Sequence, residues 1–293
     1  MNTATEVVDQ ETFKKWFPGL QRSGTKLSGD DNKCRLKVVC FANAGNAEDL
    51  FTLEGLGERK ITSPLLEFCK QNKCEMLSVQ LPGRANRRSE PWDEPKIQTV
   101  CHELASVIAN ELVDTDWIII GHSVGTWVSV NLVQVLKQRF QIREPLHAFL
   151  SNFPAPTIEK NVRPWRVGKF LSEDEFKDEA RKWDVGEVVF TGIWKIYHPL
   201  MRADFSLFDQ YENTLAEKAF DFEITAFSGN KDRMISKEMV EKWETMTTGK
   251  FNLEIINGAN HLFPLEKEFK LEWLERIVHK LKSTAILNNS IIA

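Results

Sequence analysis

The chain has 293 residues, of which 42% are hydrophobic, enough for a sizeable core in one large domain. Its 38 Lys and Arg residues are balanced by 42 Asp and Glu residues, and the net charge of -4 excludes the basic excess that favours nucleic-acid binding. The cysteines are odd in number and form no CxxC pair, which argues against a disulfide framework and against a zinc site. They are Cys34, Cys40, Cys69, Cys74 and Cys101.

The N-terminal segment carries acidic residues and lacks the apolar stretch of a signal peptide. Nowhere does the sequence approach the run of about 18 apolar residues that a membrane-spanning helix needs. Unpaired cysteines fit a reducing compartment. We therefore expect a cytoplasmic protein that does not enter a membrane, and we expect it to be a monomer.

Hydrophobic periodicity and turn signals predict alternating strands and helices in the first part of the chain. A polar, glycine-rich stretch at 19–33 is predicted to be a surface loop ahead of the first core strand. The elements that follow are a strand at 35–41, a partly helical stretch at 47–60, a helix at 63–72, a strand at 75–81 and a helix at 97–113.

A turn of small residues, 42–46, follows the first predicted strand. In acyl-transfer folds a loop at this place presents a second oxyanion donor, because small residues leave a backbone N–H exposed. An ordinary strand-to-helix turn has the same composition. The turn alone therefore leaves both interpretations open.

Three arginines, Arg84, Arg87 and Arg88, follow the strand predicted at 75–81. Beside an active-site cleft, guanidinium groups bind a phosphate-bearing carrier or an acidic substrate through paired hydrogen bonds. Arginines in ion pairs on a solvated face are also common. Both interpretations stay open, and a structural or surface role is favoured for Arg87 and Arg88.

The segment from Asp116 to Trp127 carries the strongest chemical signal. Residues 117–120 form an apolar, β-branched run typical of a strand buried on both faces, and apolar residues recur at helical spacing over 126–136. Between them stands Gly-His-Ser-Val-Gly, the G-x-S-x-G pattern of a nucleophile elbow. This turn predicts Ser123 as a nucleophile and places the Val124 N–H at a helix start, where an oxyanion is stabilised.

Prolines and charged helical pieces interrupt the alternation between residues 153 and 218. Within this stretch Ser172 and Glu175 make a capping-box pattern, which predicts the start of a helix. A helical insertion in a series of strands and helices is most simply a lid over the catalytic face. We therefore divide the chain into a core, residues 1–152 and 219–293, and a lid, residues 153–218.

The lid contains an aromatic-rich stretch whose side chains are suited to line a channel for an apolar chain. The same side chains are suited to pack the lid onto the core, and the sequence does not separate the two roles. The candidate substrate-binding residues are Trp194, Leu200, Met201 and Phe205.

After the lid the sequence predicts strands at 221–227 and 251–256, each followed by a loop. A serine nucleophile needs a histidine that takes its proton and a carboxylate that orients the histidine. His261 is the only histidine on a loop just after a late strand, and Asp232 follows a strand through a Gly-containing turn. The predicted catalytic residues are therefore Ser123, Asp232 and His261.

Four further segments carry a resemblance to a known family. Phe41-Ala-Asn-Ala-Gly45 stands where that family has Phe-Pro-x-Ala/Met-Gly-Gly, and Leu81-Pro-Gly-Arg84 matches its Leu-Pro-Gly-Arg. Pro199-Leu-Met-Arg-Ala-Asp-Phe205 resembles its Pro-x-x-Arg-Ala-Asp segment. With the elbow, these segments resemble the type II thioesterases, the stand-alone α/β-hydrolases that serve fatty acid, polyketide and nonribosomal peptide synthases. The segment 144–151 is similar to the animal medium-chain fatty acid synthase thioesterases in particular.

The resemblance implies an α/β-hydrolase fold, an α/β architecture with a mostly parallel central sheet, helices on both faces and a helical lid insertion. It also implies that the N–H groups of Ala44 and Val124 form the oxyanion hole and that the lid receives the acyl chain. Three residues depart from the family pattern: Ala42 replaces Pro, and Asn46 and Asn260 each replace Gly. These departures bear on the rate and on the substrate range.

We therefore expect an enzyme that hydrolyses acyl-thioesters on an acyl carrier protein of a fatty acid or polyketide synthase and releases a free acid. No metal and no diffusible cofactor are expected. The substrate is expected to be presented on the phosphopantetheine of the carrier or of CoA. Two alternatives stay open: a carboxylesterase or lipase that acts on oxygen esters, and a non-hydrolysing acyl-binding accessory of a synthase. Neither nucleic acid nor a membrane is expected as a partner.

Overall fold

The computed structural model describes residues 9–27, 34–55 and 60–283. Its centre is one sheet of six strands: β1 (Leu36–Phe41), β2 (Cys74–Ser78), β3 (Trp117–His122), β4 (His147–Ser151), β5 (Glu223–Gly229) and β6 (Phe251–Ile256). Their spatial order is β2-β1-β3-β4-β5-β6, and every neighbouring pair is parallel. The predicted α/β class with a parallel central sheet is confirmed.

The described residues form ten α-helices, several of which begin at a side-chain cap. Ser63, Ser172 and Ser236 each accept a hydrogen bond from a backbone N–H of the first helical turn, and Ser172 with Glu175 completes the predicted capping box. The helices are α1 (Gln10–Trp16), α2 (Gly19–Arg22), α3 (Asp49–Thr52), α4 (Pro64–Gln71), α5 (Ile97–Leu112), α6 (Val124–Phe140), α7 (Glu173–Lys182), α8 (Trp194–Asp209), α9 (Lys237–Glu241) and α10 (Lys267–Ser283).

Helices cover both faces of the sheet, which explains the apolar runs of the strands. Successive residues of a strand point to opposite faces. On one face, Val39 and Ile119 pack in a cluster that includes residues of α1, α5 and α6. On the other, Val38 and Ile118 pack with residues of α3, α4 and α10. Every residue of β1, β2, β3 and β4 is buried as a result.

The strand order reverses at β1, which lies between β2 and β3. In open parallel sheets, ligand sites form beyond the carboxyl ends of the strands at such a reversal. The turn at residues 42–46, here called the β1 turn, and Ser123 lie there, because they directly follow β1 and β3. Asp232 and His261 follow β5 and β6 at the same edge of the sheet.

The lid segment lies between β4 and β5 and contains α7, a short π-helical stretch at Val189–Ile193, and α8. Aromatic rings join it to the core. The ring centre of Trp127, on α6, lies 4.9 Å from that of Phe153 and 6.1 Å from that of Trp165. Contacts between such rings add to the free energy of burial, so this cluster holds the lid against α6.

The stretch predicted as a surface loop at 19–33 begins instead with α2. Gly19 and Leu20 are buried, and a Cβ on Gly19 would lie 2.6 Å from the Thr52 hydroxyl. A glycine interpreted as a loop signal therefore serves the close packing of α2 on α3, a contact between segments that local composition does not reveal. Residues 28–33 of that stretch lie outside the described residues.

The stretch predicted as partly helical at 47–60 contains α3, and its residues 56–59 lie outside the described residues. The helices predicted at 63–72 and 97–113 are confirmed as α4 and α5, with shifts of one residue at the ends. In the described part of the chain no helix combines the length and the apolar character needed to cross a membrane.

Gly125, near the start of α6, lies against the end of β1. A Cβ at this position would be 2.7 Å from the carbonyl oxygens of Phe41 and Ala42, which are backbone atoms that have little room to move. We expect Gly125→Ala to lower the free energy of unfolding by about 1–3 kcal/mol, the usual cost of overpacking. The comparison of urea-unfolding midpoints with the parent protein measures this loss.

Gly192→Ala is the matched control, because no atom lies within 4 Å of a Cβ built at that position. We expect its midpoint to equal or slightly exceed that of the parent, since alanine restricts the unfolded chain more than glycine does. Equal midpoints for the two alanine variants would contradict the close approach of β1 and α6.

Candidate active site

Ser123 occupies a strained turn between β3 and α6. Its backbone has φ 53° and ψ -133°, a conformation that non-glycine residues rarely adopt. Glycine is required on the strand side, since a Cβ on Gly121 would lie 2.8 Å from the Gly125 carbonyl oxygen and the Ser129 hydroxyl. The Ser123 N–H donates to the carbonyl oxygen of Ser151 at 2.9 Å. The nucleophile elbow predicted from the sequence therefore has the backbone geometry that its glycines imply.

The three residues predicted as catalytic form one chain of hydrogen bonds. Ser123 Oγ lies 2.8 Å from His261 Nε2, and His261 Nδ1 lies 2.7 Å from Asp232 Oδ2. The other carboxylate oxygen of Asp232 accepts the backbone N–H groups of Met234 and Ile235, each at 2.9 Å. An acceptor at Nδ1 keeps the imidazole proton on that nitrogen, so Nε2 is free to take the proton of the serine.

The backbone around His261 is held by two residues that the sequence analysis did not identify. The His261 N–H donates to Asp184 Oδ2 at 2.9 Å, and Asp184 belongs to the lid. Asn152, after β4, donates from Nδ2 to the Asn260 carbonyl oxygen at 2.9 Å and accepts the Gly229 N–H at 2.7 Å. The histidine loop is thereby tied both to the lid and to the ends of β4 and β5.

His122 lies beside His261. It is fully buried, its ring centre is 5.8 Å from that of His261, and its Nδ1 lies 3.0 Å from Ser151 Oγ. Burial lowers the pKa of His122 well below its usual value, and the neighbouring His261 lowers it further. His122 is therefore neutral at physiological pH.

The two residues expected to supply the oxyanion hole lie together. Ala44, in the β1 turn, and Val124, the first residue of α6, both line one small cavity beside the elbow. The N–H of a first helical residue has no partner within its helix and carries the positive end of the helix dipole. Asn46 also lines this cavity, and its Nδ2 donates to Asn43 Oδ1 at 3.0 Å.

A pocket with a cavity volume of about 80 Å³ opens at Ser123 and His261 under the lid. Two of the predicted substrate-binding residues, Met201 and Phe205, line it. The described residues include no group of three or more His, Cys, Asp or Glu side chains that is arranged to hold a metal ion. The lining residues are Asn43, Ala44, Asn46, Ser123, Trp183, Val185, Gly186, Val189, Tyr197, Met201, Phe205, Phe208, His261, Leu262 and Leu265.

The other two predicted substrate-binding residues, Trp194 and Leu200, do not line this pocket. The Trp194 ring is buried within the lid, where its Nε1 donates to Glu173 Oε1 at 3.0 Å and its ring centre lies 6.0 Å from that of Phe176. Leu200 precedes Met201 by one residue, which turns it about 100° away around α8. Prediction from aromatic content alone did not distinguish the faces of this helix.

Three large lining side chains, Trp183, Tyr197 and Phe208, were not among the predicted substrate-binding residues. Phe208 follows Met201 and Phe205 at spacings of seven and three, so helical periodicity would have identified it. Trp183 just follows α7, and its ring centre lies 4.7 Å from that of His261 with the planes at 75°. No local pattern marks Trp183, because this contact depends on how the lid docks.

The arginines after β2 do not form a free cluster for an anion. Arg84 and Arg87 are buried in ion pairs with Asp204 and Glu90, whereas Arg88 is exposed. The structural role therefore applies to Arg87, as favoured, and also to Arg84. Two of the three guanidinium groups are occupied by carboxylates of the chain itself.

The parallel sheet, the elbow and the loops that follow β5 and β6 together define an α/β-hydrolase. Residues 64–281 match the Thioesterase domain family, and the chain belongs to that family. The fold is shared with the RedJ thioesterase from the prodiginine biosynthetic pathway in Streptomyces coelicolor, with a TM-score of 0.71 and 24% identity over 87% of this chain and 91% of that one.

Two relatives are similar to this chain in sequence. The gramicidin S biosynthesis protein GrsT of Aneurinibacillus migulanus is 29% identical over 206 residues, which cover 67% of this chain and 75% of that protein. The medium-chain S-acyl fatty acid synthase thioesterase of Rattus norvegicus is 24% identical over 238 residues, 79% of this chain and 82% of that enzyme. The resemblance to type II thioesterases is thereby confirmed at the level of the family.

The bond from His261 Nδ1 to the Asp232 carboxylate determines which imidazole nitrogen carries the proton, and a substitution at Asp232 tests this. Asp232→Asn keeps the size of the side chain but replaces an acceptor with an amide that also donates, which favours the imidazole tautomer with its proton on Nε2. We expect kcat for acyl-thioester hydrolysis to fall about 10⁴-fold, since that tautomer does not accept the serine proton. Steady-state kinetics with S-octanoyl-CoA measure the loss.

Asp178→Asn is the control, because Asp178 lies exposed on α7 and forms an ion pair with Arg181 at the surface. Its kcat is expected to stay within a factor of two of that of the parent. An Asp232→Asn protein that keeps a tenth or more of the parental kcat would contradict the role given to the carboxylate.

Proposed function

We propose that this protein hydrolyses acyl-thioesters carried on the phosphopantetheine arm of a carrier protein and releases the free acid. The observation that carries the proposal is the hydrogen bond between Ser123 Oγ and His261 Nε2, at the floor of a largely apolar pocket, in a chain of the Thioesterase domain family. A nucleophile bonded to its base and placed in an apolar chamber suits attack on an acyl chain.

In the first half of the reaction, Ser123 Oγ bonds to the thioester carbonyl carbon while its proton passes to His261 Nε2. The carbonyl oxygen becomes an oxyanion and accepts hydrogen bonds from the N–H groups of Ala44 and Val124. Collapse of this intermediate breaks the C–S bond, and His261 gives its proton to the leaving thiolate. Asp232 holds the imidazole in the tautomer that these steps need.

In the second half, water attacks the acyl-serine ester with His261 as the base. The tetrahedral intermediate collapses, the C–O bond to Ser123 breaks, and the serine regains its proton from His261. Each proton and each electron pair is thus accounted for by the side chains, the substrate and one water molecule. The substrate itself brings the phosphopantetheine, whether on a carrier protein or on CoA.

The acyl chain is assigned to the pocket under the lid. Trp183, Met201, Phe205 and Phe208 supply an apolar wall next to the nucleophile. Tyr197 adds one polar group to this wall: burial, and more weakly the neighbouring Asp204, raises the pKa of Tyr197 to about 12, so its hydroxyl stays protonated at neutral pH. An acyl chain that enters this pocket places its carbonyl carbon near Ser123.

A carrier-bound substrate is supported by the relatives. One is a gramicidin S biosynthesis protein, another is a thioesterase of a fatty acid synthase, and the RedJ structure is a thioesterase from a prodiginine pathway. We propose the acyl carrier protein of a fatty acid synthase or a polyketide synthase as the partner of this chain.

Ser123→Ala tests the mechanism. We expect hydrolysis of a graded series of acyl-carrier thioesters to fall about a million-fold, because the variant lacks the nucleophile of the triad. Mass spectrometry of the released acids measures the rate for each chain length. Ser106→Ala is the control, since Ser106 is exposed on α5 and its hydroxyl donates to the His102 carbonyl oxygen one turn earlier in the same helix.

Three outcomes would contradict the proposal. Parental rates in Ser123→Ala would remove the nucleophilic role of the serine. Faster turnover of matched acyl oxygen esters than of acyl-thioesters by the parent would favour an esterase. A folded parent that a fluorophosphonate probe does not label would favour a non-hydrolysing acyl binder.

A further inference from the structure

The carboxylate of Asp204, on α8 of the lid, is almost completely buried and accepts four hydrogen bonds. Arg84 donates two of them, from Nη1 to Oδ2 at 2.8 Å and from Nη2 to Oδ1 at 2.5 Å. Trp92 Nε1 donates the third, at 2.6 Å. The backbone N–H of Gly45 donates the fourth, also at 2.6 Å, and Gly45 belongs to the β1 turn.

The ion pair holds the β1 turn at two points. While Asp204 accepts the Gly45 N–H, Arg84 Nη1 donates to the carbonyl oxygen of Asn46 at 2.8 Å. The donor and the acceptor are on consecutive residues, so the pair fixes both the position and the rotation of this part of the turn. Charge-assisted hydrogen bonds of this kind are shorter and stronger than neutral ones.

α8 also shapes the β1 turn sterically. Gly45 has φ 77°, and a Cβ at this position would lie 2.1 Å from the hydroxyl oxygen of Tyr197, seven residues before Asp204 on the same helix. The backbone of Gly45 is therefore enclosed by α8 on one side and bonded to it on another. Ala44, the residue next to it, lines the pocket with Ser123.

We infer that Asp204 is a positioning residue, which acts through Gly45 to hold the Ala44 N–H where the oxyanion develops. The inference rests on the proposed function, which assigns that N–H to the oxyanion hole. Stability alone is a weak explanation of the ion pair, because a buried pair is often no more stabilising than apolar side chains of the same volume. The pair binds three backbone groups: Arg84 Nε donates to the carbonyl oxygen of Pro82, two residues before it, and the other two groups belong to the β1 turn. The two bonds to this distant turn instead favour a role in its geometry.

Two variants test the inference. Asp204→Asn keeps the shape of the side chain but weakens its hold on the turn, and it leaves the Arg84 charge without its partner. The double variant Arg84→Met with Asp204→Leu removes both charges together, so that it keeps the packing volume and stays folded even where the single variant does not. We expect both to lower kcat 10- to 100-fold and to leave KM within a factor of three, because oxyanion donors act in the transition state.

Asp209→Asn is the matched control. Asp209 is a second buried aspartate on α8, and its Oδ2 also accepts a backbone N–H at 2.6 Å, but from Gly168 in the lid itself. We expect kcat of this variant to equal that of the parent within a factor of two.

A pair of inhibitors separates positioning from a structural role. A trifluoromethyl ketone that carries the alkyl chain of the substrate bonds to Ser123 Oγ at its carbonyl carbon and mimics the tetrahedral intermediate. The matching S-alkyl-pantetheine thioether has no carbonyl carbon to attack and mimics the bound substrate. The Asp204 variants should lose affinity for the ketone by the same factor as kcat/KM and keep the parental affinity for the thioether. Equal losses for both inhibitors, or parental kcat in the double variant, would overturn the inference.

Failure of the proposed function can be distinguished from failure of the positioning role. A parent that hydrolyses no acyl-thioester refutes that function, yet the rate of fluorophosphonate labelling of Ser123 still reports on the oxyanion hole. Labelling that is 10- to 100-fold slower in the double variant than in Asp209→Asn supports the positioning role in that case. Equal labelling rates refute it.

Discussion

The structure depends on the close approach of three backbone segments around Ser123: β3, the start of α6 and the end of β4. The positive φ of Ser123 carries a strain of about 1–3 kcal/mol, and such strain persists only where the surrounding structure holds the residue in that conformation. It does so here, because β3 is buried on both faces, α6 is packed beneath the lid, and the carbonyl oxygen of Ser151 binds the Ser123 N–H. The hydroxyl is thereby fixed at the edge of the sheet that the loops after β5 and β6 reach.

Two lid aspartates extend this constraint beyond the core. Asp184 accepts the N–H of His261 at 2.9 Å, and Asp204 accepts the N–H of Gly45 at 2.6 Å. One loop carries the expected base and the other carries the expected oxyanion donor, so the lid contacts the candidate active site from both sides. A displacement of this segment would disturb both loops at once, which makes it part of the framework of the candidate active site.

The sequence predicted the features that local patterns determine. The elbow at Ser123 and the partners Asp232 and His261 follow from strand, turn and helix signals, because parallel strands bring the loops at their carboxyl ends to one edge. The ion pair of Arg84 with Asp204 was not predictable in this way, since its residues are 120 positions apart and meet only when the lid docks. Trp194 was misplaced for a related reason: its burial within the lid depends on contacts with Glu173 and Phe176, which residue type does not reveal.

The two asparagines that replace family glycines fit the same framework. Neither Asn46 nor Asn260 has a positive φ, and in the β1 turn the left-handed conformation falls on Gly45 instead. A glycine is therefore not needed for backbone freedom at either position. Each side chain is used within its own loop, since Asn46 Nδ2 donates to Asn43 Oδ1 at 3.0 Å and Asn260 Nδ2 donates to Glu266 Oε1 at 2.6 Å. Both asparagines are therefore accommodated in the loops after β1 and β6 without a left-handed backbone.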